Sequence, residues 1–126
     1  MQIILSNNSP DPIYEQIRQQ IQSHILKGVL QAGDALPSIR SLAQQLQISV
    51  ITVKRAYDEL ERGGFIETVS GKGSFVARQN SEFLREKRMS LIENRLSEIV
   101  KESLLLGISL EELKEKHDFY QLTPER

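Results

Sequence analysis

Apolar residues return every fourth position along Ile13, Ile17, Ile21 and Ile25, with Tyr14 beside them. That period predicts a helix with one buried stripe. Asp11 is expected to cap it, with Pro12 at its first position and Gly28 as its stop. The connector Val29 to Ala35 should turn at Gly33-Asp34, and Ala35-Leu36 can add a short strand. Pro37-Ser38 opens a second helix, about Ile39 to Leu46, with Leu42, Ala43 and Leu46 inward and Ser38 as its cap. Gln47-Ile48-Ser49 reads as a tight turn whose Ser49 caps a third helix, and Gly63-Gly64 ends that helix. Phe65 to Val69 and Ser74 to Val76, around Ser70-Gly71-Lys72-Gly73, carry a hairpin pattern.

The third helix has two distinct faces. At about 100° per residue from Val53, Ala56, Tyr57 and Leu60 fall within roughly 60°, and Ser49 is expected to join them. Ile51 falls at about 160°, almost opposite, flanked by Lys54 and Arg55 at about 100° and 200°. The outward face near the helix N-terminus therefore carries Ile51, Thr52, Lys54 and Arg55. A helix built this way can enter a major groove with its first turns against base edges.

Before this block, Ile3-Ile4-Leu5 suggests a short extended arm. After it, Arg78-Gln79-Asn80 reads as a polar hinge into a long helix, about Glu82 to Leu106. Met89, Ile92, Leu96, Ile99, Ser103 and Leu106 are spaced as a heptad seam broken once by Ser103. A second apolar line runs through Leu84, Leu91, Val100 and Leu104. Ser109 and Glu112 form a capping box for a last helix carrying Leu110, Leu113 and Phe119. That helix can fold back over one line and leave the other to a partner subunit. A monomer whose long helix packs on its own first domain is the alternative. Thr123 to Arg126 should fray.

The expected fold is mainly α with a small β-hairpin. A winged helix-turn-helix spans residues 1–77, and a helical dimerisation region spans residues 78–126. The net charge of −1 excludes a polybasic binder. Residues 1–77 hold seven Lys+Arg against seven Asp+Glu, and the remainder holds nine against ten. The acids Asp58, Glu59 and Glu61 lie late in the third helix, which leaves Arg40, Lys54, Arg55 and Lys72 as the phosphate-facing set. With no cysteine, disulfides and the commonest structural zinc sites are excluded. No apolar run approaches the roughly 18 residues of a membrane span, and no secretory leader is read. A soluble cytoplasmic protein is therefore expected. His24 and His117 lie on different helices without ligand spacing and read as structural. No catalytic constellation or phosphate loop occurs, so neither enzyme activity nor a cofactor is expected.

Three words in this pattern are specific: Leu36-Pro37-Ser38-x-Arg40, Thr52-Val53-x-Arg55-Ala56-Tyr57-x-x-Leu60 and Gly71-Lys72-Gly73-Ser74-Phe75-Val76. Over roughly residues 11–77 the chain resembles the DNA-binding domain of the GntR family of bacterial transcription regulators, and its remainder resembles the YtrA subfamily. The resemblance implies a homodimeric repressor bound to an inverted-repeat operator, often beside a transporter operon. It implies a DNA contact from Arg40 and a wing, Gly71, Lys72 and Gly73, lying along the DNA backbone or in the minor groove. With the outward face of the third helix and the caps, the expected DNA-binding set is Ser38, Arg40, Ser49, Val50, Ile51, Thr52, Lys54, Arg55, Gly71, Lys72 and Gly73. The subfamily resemblance implies a small helical dimerisation unit, and the heptad seam gives Met89, Ile92, Leu96, Ile99 and Leu106 as its expected contacts.

The sequence departs from the family at Val50-Ile51, where many members carry arginine or asparagine. Valine and isoleucine cannot hydrogen-bond to bases, but they can contact a thymine methyl. Arg40 lies in a first helical turn, where the dipole disfavours a cation. A DNA phosphate or guanine edge would serve it there, and a carboxylate such as Asp34 is the alternative. The different-class alternative for the whole chain is a winged-helix module that binds proteins. Forty-nine residues after Ala77 leave little room for an enclosed effector pocket, although a ligand could sit between subunits.

Overall fold

The computed structural model describes residues 1–121, with side chains described through residue 117. The element order is α1 (Ile13–Leu26), α2 (Ile39–Leu46), α3 (Val50–Arg62), β1 (Ile66–Val69), β2 (Gly73–Val76), α4 (Ser81–Leu105) and α5 (Leu110–Gln121). The chain divides into two compact units, Met1–Arg85 and Glu86–Arg126.

In the first unit the three helices close over Ile17, Ile21, Leu42, Val53, Ala56, Tyr57 and Leu60, all buried. Burying each valine, leucine or isoleucine of this set contributes about 1.5–3 kcal/mol. Helix α3 ends where Phe65 N–H reaches the Leu60 carbonyl at 2.9 Å. That closure needs the left-handed conformation Gly64 adopts at φ 81°. β1 and β2 pair antiparallel with Ile66 opposite Val76 and Val69 opposite Gly73. Ala35 bridges Phe75 as the connector's expected short strand. The connector turn spans Gln31 to Asp34, whose carboxylate accepts from Gln31 N–H at 2.8 Å.

Two expectations about α1 need correction. Asp11 does not cap it: the cap position is Pro12, extended at ψ 155°, with no side-chain cap bond. With the helix starting at Ile13, Pro12 rather than Asp11 stands next to the first-turn amides, and Pro12 lies outside the helix rather than at its first position. Gln16 Nε2 donates to the Asp11 carbonyl at 3.0 Å.

The N-terminal arm is held by a ladder invisible in the hydrophobic pattern. Gln16 Oε1 accepts from Ser6 N–H at 2.9 Å, and Gln16 Nε2 donates to Ser6 O at 3.0 Å. Gln20 makes the same pair with Ile4, at 2.9 and 2.7 Å. His24 Nε2 lies 3.1 Å from Gln2 O. Four helical residues rise about 6 Å and two extended residues span about 6.6 Å, so the two repeats stay in step.

The first unit continues into α4. Asn80 Oδ1 accepts from Phe83 N–H at 2.6 Å, capping that helix. The Phe83 ring then lies 5.7 Å from that of Phe65, and Gln79 Nε2 donates to Gly64 O at 2.7 Å. No helix among the described residues is long and apolar enough to cross a membrane.

Candidate nucleic-acid interface

Helix α3 starts at Ser49, whose Oγ accepts from Thr52 N–H at 3.1 Å and lies 2.7 Å from Thr52 Oγ1. Val53 and Ala56 are fully buried on one side. On the other side Ile51 is 80 % exposed and Val50 is 45 % exposed. Ser49 itself is exposed rather than part of the buried stripe. Its extended backbone, φ −73° and ψ 149°, puts it outside the helical period that governs Val53 and its partners.

Helix α2 is positioned against α3 from its start. Ser38 Oγ accepts from Ser41 N–H at 3.0 Å. The buried Tyr57 hydroxyl donates to Pro37 O at 2.7 Å, and burial pushes its pKa upward. Gln47 turns the chain between the helices in the left-handed region, at φ 57°. Arg40 is exposed and has no carboxylate partner among the described residues. Asp34, the alternative partner, is occupied in its own turn.

The four cations differ in their surroundings. Lys54 Nζ lies 2.8 Å from Asp58 Oδ2, so the acids of α3 do reach one member of the set. The i,i+4 spacing places both side chains on one helical strip. The Arg55 guanidinium stacks over the Tyr14 ring at 3.8 Å to the centroid. Arg40, Arg55 and Lys72 carry charge uncompensated by any carboxylate among the described residues. Sequence periodicity cannot see the Tyr14 contact, because it joins two helices 41 positions apart (55 − 14).

Lys72 stands at the hairpin tip, where its N–H donates to Val69 O at 2.9 Å. Gly71 and Gly73 flank it at φ 78° and 109°, values that a side chain would strain. Thr68 Oγ1 donates to Glu61 Oε1 at 2.9 Å, which ties the hairpin to α3.

This arrangement is helix, left-handed turn, exposed-faced helix and glycine-tipped hairpin. The model of the gntR family of bacterial regulatory proteins matches it over residues 13–76. The chain belongs to that family. It is a DNA-binding transcription regulator with a winged helix-turn-helix fold. It is 40 % identical to the HTH-type transcriptional repressor YtrA of Bacillus subtilis over 90 % of this chain and 87 % of that protein. A transcriptional regulator from Oenococcus oeni superposes with TM-score 0.75 and 30 % identity, covering 93 % of this chain and 97 % of that one. The AraR DNA-binding domain in complex with operator ORX1 superposes with TM-score 0.54 and 28 % identity, over 61 % of this chain and 96 % of that one.

In this GntR-family chain the second unit exposes the heptad residues Met89, Ile92, Leu96, Ile99 and Leu106. Ser103, which interrupts that seam, is the buried residue of α4 among the described residues. Its hydroxyl donates back to Ile99 O at 2.8 Å, which satisfies the polar group and lets a small side chain go inside. Ser109 caps α5 by accepting from Glu112 N–H at 3.2 Å. Leu110 and Leu113 of α5 face Leu96, Ile99 and Val100 across a groove of about 410 Å³. Both apolar lines therefore contribute to that groove, and Leu104 of the second line remains exposed. The side chain of Phe119 and the expected fraying of Thr123 to Arg126 lie outside the described residues.

Proposed function

We propose that the chain is a cytoplasmic repressor that acts as a homodimer on an inverted-repeat operator and carries out no catalysis. Each subunit sets the first turns of α3 in a major groove, with Ser49, Val50, Ile51 and Thr52 toward the bases. Ser38, Arg40, Lys54 and Arg55 meet flanking phosphates. Gly71, Lys72 and Gly73 bring the wing onto the adjoining backbone. The observation that carries this reading is α3 itself, which buries Val53 and Ala56 completely and holds Ile51 80 % exposed opposite them. Similarity to the repressor YtrA of Bacillus subtilis supports repression as the outcome. The exposed seam from Met89 to Ile99 supports pairing through residues 78–126.

The test is a titration of duplex DNA by the intact protein at several salt concentrations. Four cations per subunit in a dimer predict a log–log slope of about −7. Binding that ignores salt, or a protein that associates only with other proteins, would overturn the reading in favour of a protein-interaction module.

A further inference from the structure

We infer that α3 reads the C5-methyl groups of thymines, with Ile51 as the specificity-determining residue and Val50 beside it. The inference rests on the operator-binding reading above and names what that surface recognises. Ile51 is 80 % exposed and Val50 45 % exposed in the first turn of the helix. The polar side chains around them each make a contact within the protein. The Ser49 and Thr52 hydroxyls lie 2.7 Å apart, and Ser49 Oγ also accepts from Thr52 N–H. Lys54 is bonded to Asp58 at 2.8 Å, and Arg55 is stacked on Tyr14 at 3.8 Å. The outermost surface of the first turn is thus aliphatic.

In the major groove, thymine alone among the four standard bases presents an apolar group, its C5 methyl. An isoleucine placed against guanine, cytosine or adenine would bury their donors and acceptors without partners, which is unfavourable. Against thymine, two apolar surfaces leave water together. Recognition at this point in each half-site is therefore by methyl contact.

Deoxyuridine isolates this contact, since an A·U pair keeps every hydrogen-bonding group of A·T and lacks only the methyl. The experiment takes a duplex that the intact protein binds specifically and replaces each thymine in turn by deoxyuridine. One or two positions per half-site should lose about four-fold in affinity each, the value of one buried methyl-sized group. A cytosine carrying a 5-methyl group at those positions should bind better than plain cytosine. Ile51→Ala, at an exposed site, should remain folded by circular dichroism, bind more weakly, and no longer distinguish thymine from uracil there. Uniform tolerance of uracil, or discrimination that survives in Ile51→Ala, would overturn the inference while leaving operator binding intact. Failure to bind any duplex specifically would overturn both.

Discussion

The guanidinium of Arg55 lies over the ring of Tyr14, 3.8 Å from its centroid. The ring engages the cation without neutralising it, and no carboxylate among the described residues pairs with it, so its N–H groups can still meet a phosphate. Helix α1 thereby fixes the direction in which a residue of α3 offers its charge. An exposed contact of this kind is worth about 0.5–1 kcal/mol. Tyr14→Leu should weaken operator binding two- to five-fold by that estimate, whereas Tyr14→Phe should keep parental affinity. The check is a double-mutant cycle by DNA titration. Once Arg55 is alanine, the Tyr14 substitution should have no further effect on binding.

Lys54 and Asp58 form an exposed i,i+4 pair at 2.8 Å. Its contribution to stability is small, about 0.3–0.5 kcal/mol. Its larger consequence is that a phosphate must compete with Asp58 for Lys54. Asp58→Asn should leave the melting temperature nearly unchanged and tighten binding to arbitrary DNA more than it tightens operator binding. Lys54→Ala should lower the salt slope by about one. Parallel titrations on operator and random duplexes would show either effect.

Tyr57 joins α3 to the start of α2 through Pro37 O at 2.7 Å. Tyr57→Phe removes the donor from a part-buried carbonyl and should cost about 1 kcal/mol, or roughly 4–8 °C in Tm for the unit. Burial raises the folded-state pKa of this phenol. The neutral form is therefore favoured on folding. Its contribution is complete below the unfolded value of about 10 and is lost as the pH climbs above that. Denaturant titrations from pH 8 to 11 should show stability falling at the alkaline end, with a shallower fall in Tyr57→Phe.

Much of this arrangement was legible because local rules and tertiary packing agree. Ser38 and Ser49 cap where their position before an apolar period says they should. Val53, Ala56, Tyr57 and Leu60 pack on the side that helical periodicity assigns them. Ile51 could be placed outside by angle alone. The misread features depend on partners that the pattern does not encode. Asp11 looked like a cap, yet the extended Pro12 took that position. The arm depends on Gln16, Gln20 and His24, polar residues of a helix that bond to backbone 10 to 22 positions away. That Ser103 would be buried, with its hydroxyl on Ile99 O, was likewise not visible in the heptad spacing. Which cations keep their charge uncompensated could not be read from composition, since it depends on what stands opposite each: a carboxylate for Lys54 and an aromatic ring for Arg55.

The second unit exposes Leu96 at 57 % within the seam. Four such residues from each of two chains, at about 1.5–3 kcal/mol apiece, are ample for a stable dimer. Leu96→Glu should leave helicity unchanged and sediment as a monomer. A chain cut after Arg85 retains the Phe83 contact to Phe65 and should fold alone. It should bind a single half-site weakly, because two linked half-sites bind by avidity. Sedimentation of the intact protein as a monomer, or dimerisation by the cut chain, would remove residues 86–126 from this role.

Two copies of α3 in the proposed dimer read DNA bases related by a two-fold axis. Selection of bound sequences from random duplex DNA tests it most directly. The expected product is an inverted repeat whose half-site centres lie about 10–10.5 base pairs, or a multiple of that, apart. The same selection with Leu96→Glu should return isolated half-sites. A pool that converges on no sequence, or on one lacking two-fold symmetry, would contradict the account.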